Sequence, residues 1–276
     1  MSIKETFIRL KNKGEGALIS YIMGGDPRPD LTIKIAKALI ESGSDILELG
    51  IPFSDPIADG PTIQAANLRA LKSGITPIRV LEMVNQIKDY HKIPIVILTY
   101  YNIIFRAGLE NFFDKANKSK VDGIIVPDLP VEEAQDYKLI ANKHGIDTIF
   151  LASPSTSTNR LRKILDYTSG FLYIVSLFGV TGARKKLKRS TIHLIEKISS
   201  YTKGKIPLAV GFGISQPYQV KSIIEAGADG AIVGSSFVKI IEESIHDENK
   251  MLNNIRRYTN ELKRATIFED VKSLSQ

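Results

Sequence analysis

Short apolar runs alternate with longer amphipathic stretches along the whole chain, and this alternation constrains the fold more than any other feature of the sequence. Most of the runs lack a polar residue at every second position, which is typical of parallel strands covered on both faces. In the stretches between them, apolar residues recur at three- and four-residue spacing, as in amphipathic helices. The pattern predicts eight strands, at residues 17–23, 46–51, 95–100, 123–126, 148–151, 171–176, 208–210 and 230–233.

Helical stretches such as 77–90 and 158–167 separate these runs, and strands that alternate with helices favour a parallel sheet with crossover connections. Eight such units favour a closed (β/α)8 barrel, with an open doubly wound sheet as the alternative if one strand is miscounted. The predicted barrel has an extra N-terminal helix and a short phosphate-binding helix after strand eight. Since no linker-like tract interrupts the sequence, we expect a single barrel domain over residues 1–276.

The composition narrows the possible functions. The chain has no cysteine, which excludes disulfides and thiolate metal sites, and its four histidines lack metal-ligand spacing, so we expect no metal. No stretch has the pattern of a signal peptide or the length of a membrane span, so we expect a cytoplasmic protein. The net charge of +7 is compatible with binding to nucleic acid, an acidic membrane or an anionic substrate. Because the basic residues are scattered, solubility alone is the favoured interpretation.

Carboxylates cluster at the end of the second predicted strand, and barrels of this kind carry out chemistry at the carboxyl ends of their strands. Glu48 interrupts an apolar strand, where a buried carboxyl is costly unless it is paired or functional. Asp55 and Asp59 follow in a loop rich in proline and glycine, residues that can give a long loop a defined shape. The pattern is compatible with a general acid–base site. It is also compatible with a strand-end carboxylate and two aspartates that cap local amides.

Glycine-rich sequences follow the last two predicted strands. Gly211 and Gly213 come after strand seven, and Gly234 and Ser235 come after strand eight, where a helical run begins. Glycines allow backbone amides to approach a ligand, and the amino terminus of a helix attracts anions. Together these features favour a phosphate site after strands seven and eight over glycines that serve only tight turns.

A third glycine-flanked segment, residues 179–183, follows strand six and precedes a run of lysines and arginines. Glycines at such positions are typical of a lid that closes over a substrate, and the basic residues after it would attract an anion. A solvated loop without a catalytic part is the alternative that the sequence leaves open.

The segment around Glu48 also carries a family resemblance. From residue 47 the chain reads LELGIPFSDPIADGPTIQ, which resembles the signature of the tryptophan synthase alpha chain family. The resemblance continues in order through GDP at 25–27, YYN at 100–102, VPDLP at 126–130, GVTG at 179–182, GFGIS at 211–215 and VGSS at 233–236. It implies a (β/α)8 barrel that cleaves indole-3-glycerol phosphate to indole and glyceraldehyde 3-phosphate by a retro-aldol reaction.

The resemblance implies catalytic roles for three residues. Glu48 would protonate C3 of the indole ring and then take the proton of the hydroxyl beside the bond that breaks. Asp59 would bind the indole N–H and stabilise the positive charge of the protonated ring, and Tyr173 would lie beside the two acids. Because one carboxyl must donate a proton while the other stays ionised, the pair requires unlike environments.

The resemblance also implies contacts with the substrate and with a partner. Four residues would line the indole pocket: Tyr21, Leu98, Tyr100 and Pro127. Five residues would bind the phosphate, mainly through backbone amides: Gly182, Gly211, Gly213, Gly234 and Ser235. Thr181 would close over Asp59, while Asp55 and Asp128 would face a tryptophan synthase beta subunit in an alpha2beta2 complex. The beta subunit would carry pyridoxal phosphate and receive the indole, and no cofactor would belong to this chain.

Two departures from the family pattern lie outside the acid pair. Ile103 stands where many relatives have proline, and Leu177 stands where some have arginine, beside an unusually basic lid. Both bear on lid motion and partner coupling. Two other functions stay open: a lyase that releases free indole without a partner, and a non-catalytic barrel that binds phosphate as an allosteric subunit. The presence of both Glu48 and Asp59 argues against the second. A nucleic-acid protein would need one continuous basic patch.

Overall fold

The computed structural model of the protein describes residues 1–175, 189–202 and 204–268. Its centre is a sheet of nine strands in the order β5-β4-β3-β2-β1-β9-β8-β7-β6, and all neighbouring strands are parallel. The strands are β1 Ala17–Met23, β2 Ile46–Gly50, β3 Ile95–Leu98, β4 Gly123–Ile125, β5 Asp147–Ile149, β6 Leu151–Ala152, β7 Leu172–Val175, β8 Leu208–Gly211 and β9 Gly230–Val233.

The sheet closes into a barrel at β5 and β6. β5 pairs with β4, β6 pairs with β7, and only Phe150 separates β5 from β6 along the chain. The two segments therefore form one barrel strand, whose first half bonds to one neighbour and whose second half bonds to the other. The prediction of eight strands in a closed barrel is confirmed, because the predicted strand at 148–151 spans both segments.

Helices cover the outside of the barrel. The α-helices are α1 Ile3–Asn12, α2 Pro29–Glu41, α3 Pro61–Lys72, α4 Pro77–Tyr90, α5 Tyr101–Ala107, α6 Leu109–Lys118, α7 Gln135–Lys143, α8 Thr158–Tyr167, α9 Arg189–Thr202, α10 Pro217–Glu225, α11 Ser235–Glu243 and α12 Glu248–Arg264. A 3-10 turn at Val131–Glu133 precedes α7, and Ala134 separates the two. Within the described ranges, no helix is both long enough and apolar enough to cross a membrane.

The strands bury side chains on both faces. Their helix-facing side chains, such as Leu47 and Leu49, belong to a large cluster that includes the apolar faces of the helices. Their inward-facing side chains form a second cluster inside the barrel, to which α1 contributes Ile3, Phe7 and Leu10. A Cβ atom on Gly123, the first residue of β4, would lie 3.0 Å from the Ile3 side chain. The predicted N-terminal helix therefore closes the amino-terminal end of the barrel, and the opposite end is open for a site.

Candidate active site

Glu48 lies in the middle of β2, opposite Tyr21 of β1 and Val96 of β3 in the strand register. Because Leu47 and Leu49 face the helices, the alternation of the strand turns Glu48 into the barrel. Its side chain is only 1% exposed, and its Oε2 atom has no hydrogen-bond partner among the described residues. Burial, with a smaller contribution from the nearby charge of Asp59, raises the pKa of Glu48 to about 8. A carboxyl in this state is protonated near neutral pH and can donate a proton.

Asp59 lies at the end of the loop at residues 51–60, between β2 and α3, and side chains from two other elements hold it there. The amide of Asn67 on α3 donates to Asp59 Oδ2 at 3.2 Å and accepts the N–H of Phe53 at 2.9 Å. The Tyr100 hydroxyl accepts the N–H of Ala58 at 3.1 Å. Burial raises the pKa of Asp59, while hydrogen bonds from Tyr100 and Asn67 oppose that rise.

The two carboxyls therefore occupy unlike environments. Burial raises the pKa of both, yet among the described residues only Asp59 has hydrogen-bond donors that favour its ionised form. Glu48, buried without such donors, and Asp59, among polar partners, match the requirement that one acid donates a proton while the other carries a charge. We call this part of the molecule, comprising Glu48, the 51–60 loop and Asn67, the acid side.

Both acids open onto one cavity of about 260 Å³ at the carboxyl ends of the strands. Six more residues expected at the site also line it: Tyr21, Leu98, Tyr173, Gly213, Gly234 and Ser235. Five lining residues were not predicted from the sequence: Gly60, Ile63, Phe212, Ile214 and Ile232. A signal existed for Ile232, because it alternates with Gly230 on β9 and with Gly234 directly after that strand. The mixture of acids and apolar walls suits a ligand with an apolar body and a few polar groups.

The Tyr173 ring packs directly against Gly211, where any side chain would clash with it. A Cβ atom on Gly211 would lie 2.3 Å from the Tyr173 hydroxyl and 2.6 Å from the ring carbon that bears it. The Tyr173 ring meets Phe212 edge to face at 5.7 Å between centroids. Burial and the charges of Glu48 and Asp59 raise the pKa of Tyr173 well above its ordinary value, so its hydroxyl stays protonated.

The ends of β8 and β9 form the other wall of the cavity. Phe212 and Gly213 have positive φ angles, 69° and 73°, which turn the chain sharply after β8. Gly234 precedes the first turn of α11, and a Cβ atom on it would lie 3.0 Å from the Tyr21 ring. The first N–H groups of a helix lack partners within that helix and attract anions. Gly213, Gly234 and Ser235 all line the cavity. We call residues 211–215 with 234–236 the phosphate side.

A cluster of ion pairs links α3, on the acid side, to α11, on the phosphate side. Arg69 on α3 makes two hydrogen bonds to the buried carboxylate of Asp26, at 2.7 and 2.9 Å. The same guanidinium bonds to Glu242 on α11 at 2.8 Å. Since α3 also carries Asn67, the helix that positions Asp59 is tied directly to the helix whose first turn faces the cavity.

The remaining residues expected at the site lie elsewhere. Tyr100 stacks on Phe53 at 5.2 Å between centroids, behind the acid loop, and does not line the Glu48 cavity. Pro127 lines a separate cavity of about 440 Å³ between the β4 and β6 ends. Asp55 is exposed, whereas the Asp128 carboxylate accepts the N–H of Tyr101 at the start of α5. Thr181 and Gly182, and with them the predicted lid, lie outside the described residues.

A closed parallel barrel with an acid pair and a phosphate side at its mouth defines a class of enzyme that performs acid–base chemistry on a phosphorylated substrate. Within the described part of the chain, no three or more His, Cys, Asp or Glu side chains are grouped so that they could hold a metal ion. Known proteins narrow this class to one family.

The chain belongs to the tryptophan synthase alpha chain family, whose model matches residues 7–267. The tryptophan synthase alpha chain of Methanoregula boonei is 47% identical over 92% of this chain and 95% of that one. A chain of the tryptophan synthase α2β2 complex of Pyrococcus furiosus is 42% identical, with a TM-score of 0.83 over 90% of this chain and 98% of that chain. A chain of tryptophan synthase from Mycobacterium tuberculosis is 32% identical, with a TM-score of 0.87 over 97% of this chain and 98% of that chain.

Proposed function

We propose that Glu48 and Asp59 together perform the reaction of this family, the retro-aldol cleavage of indole-3-glycerol phosphate to indole and glyceraldehyde 3-phosphate. The observation that carries the proposal is the buried Glu48 carboxyl, whose pKa of about 8 lies near neutrality and which opens onto the same cavity as Asp59. A general acid works best when its pKa lies near the operating pH.

The chemistry explains why two carboxyls are needed. The C3 carbon of indole is a poor leaving carbanion, so it must be protonated before the carbon–carbon bond can break. Glu48 donates that proton, and the ring becomes a cation whose N–H Asp59 binds as an ionised carboxylate. The Glu48 carboxylate then removes the proton of the neighbouring hydroxyl. The electrons of the O–H bond form the aldehyde, those of the carbon–carbon bond return to the ring, and neutral indole is released.

The phosphate side fits the rest of the substrate. The backbone amides of Gly213, Gly234 and Ser235 offer neutral donors near the first turn of α11, where a phosphate is favoured. We assign Gly211, at the end of β8, to the phosphate by the family resemblance alone. Tyr21 and Leu98 supply walls for the indole ring, and Tyr173 lies beside the acids. We assign Gly182 and Thr181 to the phosphate and to lid closure by the family resemblance alone.

We propose that the indole passes to a beta subunit in an alpha2beta2 assembly. Support comes from the Pyrococcus furiosus relative, which belongs to such a complex. Ile57, 81% exposed in the acid loop, and Phe105, 67% exposed on α5, add apolar surface next to Asp55 and Asp128. In this proposal pyridoxal phosphate belongs only to the beta subunit, since the acid–base steps above require no cofactor.

We also propose that the chain is a single domain over residues 1–276 and that it works in the cytoplasm.

Indole release from indole-3-glycerol phosphate tests the function directly. The wild-type protein and Glu48→Gln are compared with and without a beta subunit, and Glu82→Gln, the same change on the exposed surface, is the control. Release that is lost only in Glu48→Gln supports the lyase. High release that a beta subunit does not change would favour the lyase that works alone. No release in any condition would leave the non-catalytic phosphate-binding barrel.

A further inference from the structure

The two halves of the phosphate side come from different strand–helix units, and a side chain from a third element touches both. The first half follows β8 and the second half opens α11 after β9. We propose that Tyr258, on the C-terminal helix α12, is a positioning residue that holds the two halves at the spacing a phosphate ester requires. This inference rests on the proposed function of the phosphate side.

Tyr258 connects the halves through its hydroxyl and its ring. The hydroxyl donates to the carbonyl oxygen of Ser215 at 3.0 Å, and the ring packs against Phe237 in the first turn of α11. Ser215 is two residues beyond Gly213, and Phe237 is two residues beyond Ser235. Each contact therefore lies within two residues of a backbone group that lines the cavity.

The surroundings of Tyr258 give the hydroxyl a fixed position. Its ring meets Phe237 edge to face at 5.2 Å between centroids, and Phe237 is fully buried. The ring also packs against the outer hydrophobic cluster. Burial raises the pKa of the phenol, so the hydroxyl remains a donor throughout the working pH range. A tyrosine with its ring packed and its hydroxyl bonded to a backbone carbonyl has little freedom to move.

The first half has a second anchor at the same residue. The N–H of Ser215 donates to the side-chain oxygen of Gln219 at 2.7 Å, and Gln219 is only 1% exposed. Ser215 is thus held at its N–H from α10 and at its carbonyl from α12. Without the tyrosine hydroxyl the turn after β8 keeps the anchor from Gln219 but loses its link to Tyr258, and through the Tyr258 ring its link to α11.

The role predicts a selective defect. Phenylalanine at residue 258 keeps the ring contact with Phe237 and removes the hydrogen bond to Ser215, which contributes about 0.5–1.5 kcal/mol. If this loss falls on phosphate binding, KM for indole-3-glycerol phosphate rises about 3- to 10-fold, while kcat stays within twofold. Chemistry at Glu48 and Asp59 is unaffected because those residues lie across the cavity on the acid side.

The experiment compares wild type, Tyr258→Phe and Tyr218→Phe, the control being the same change at a partly exposed tyrosine on α10. Steady-state kinetics are combined with calorimetric binding of two probes: glycerol 3-phosphate, which carries only the phosphate, and indole, which lacks it. Weaker glycerol 3-phosphate binding in Tyr258→Phe alone, with indole binding unchanged, is the expected result. Equal weakening of both probes, or no change in either, overturns the inference.

The probes also separate this inference from the proposed function. A wild-type protein that binds glycerol 3-phosphate but releases no indole would contradict the lyase, while a weaker glycerol 3-phosphate complex in Tyr258→Phe would still support the positioning role. A wild-type protein that binds no phosphate ester would overturn the role of Tyr258 together with the phosphate side.

Discussion

The acid side and the phosphate side face each other across one cavity, yet they use different chemical groups. The acid side consists of titratable side chains, with Glu48 buried in the barrel interior and Asp59 held by Asn67 and Tyr100. The phosphate side consists largely of glycines, a helix terminus and backbone amides. A group that moves a proton must change its charge, whereas a site for a permanently charged phosphate works best with donors that never titrate. Changes on the acid side should therefore lower kcat, and changes on the phosphate side should raise KM.

Removal of the Glu48 carboxyl should have the largest effect. Glu48→Gln keeps the shape of the side chain but cannot exchange a proton, so we expect kcat for indole release to fall roughly 10²- to 10⁴-fold with little change in KM. Stopped-time assays of indole with saturating substrate measure the loss. A comparable rise in KM at constant kcat would show that Glu48 only binds, and the contrast between the two sides would fail.

Asp59→Asn should have the next largest effect. The amide is neutral, so it no longer stabilises the positive charge on the protonated ring, and loss of such a stabilising group costs roughly 10²- to 10³-fold in kcat. The same assay checks this, with Asp55→Asn in the exposed part of the loop as the control. If Asp55→Asn lowered kcat as much as Asp59→Asn, the effect would belong to the loop as a whole.

Gly211→Ala tests the phosphate side from within. The new Cβ atom would lie 2.3 Å from the Tyr173 hydroxyl, and overpacking of this kind costs about 1–3 kcal/mol. We expect a higher KM and a lower melting temperature, both read from kinetics and thermal unfolding. Tyr173→Phe in the same chain removes the closest clashing atom and should restore part of the stability. No restoration would mean that the strain lies in the backbone turn instead.

Asn67→Asp tests how the ionised form of Asp59 is maintained. The new carboxylate still accepts the N–H of Phe53 but replaces the donor to Asp59 Oδ2 by a like charge. The pKa of Asp59 should rise, and the acid limb of the kcat/KM profile should move to higher pH by about one unit. Asn253→Asp on the exposed face of α12 is the control. An unmoved acid limb would assign that limb to a group other than Asp59.

The last prediction concerns the stability of the fold and not the rate of the reaction. The pKa of Glu48 is about 8 in the folded protein against an ordinary value of 4.5, so the folded state binds the proton more tightly than the unfolded state. Wild-type stability relative to Glu48→Gln is therefore greatest below pH 4.5, falls as the pH rises to about 8 and is flat above it. Urea unfolding of both proteins across this range measures the difference. A difference that rises with pH would contradict the buried, neutral carboxyl.

The sequence predicted the barrel because its main determinant is local. Strands buried on both faces read as continuous apolar runs, and six of the strand predictions start within one residue of the structure while the other two match it at both ends. The break at Phe150 was not predicted, since pairing with two different neighbours depends on barrel closure and leaves no mark in the local sequence.

The site was only partly predictable. Strand alternation requires Glu48 to face away from Leu47 and Leu49 but leaves open whether it faces the helices or the barrel interior, and the structure places it in the interior. Phe212 was missed because a positive φ at a residue other than glycine has no sequence signal. Tyr100 and Pro127 were expected in the indole pocket by resemblance, but one lies behind the acid loop and the other lines a different cavity. Tyr258 was missed because its partners Ser215 and Phe237 are distant in sequence.

The N-terminal helix, which closes the amino-terminal end of the barrel, determines where substrate enters and product leaves. Because Ile3, Phe7 and Leu10 fill the amino-terminal end of the barrel, the substrate enters and indole leaves at the carboxyl-terminal end. A partner protein bound at the carboxyl-terminal end therefore meets the released indole, since the described residues leave no second exit along the barrel axis. The fraction of indole that reaches a partner then depends on how closely the two proteins fit at this end. Indole would escape through gaps in that contact, and not because the chemistry is slower.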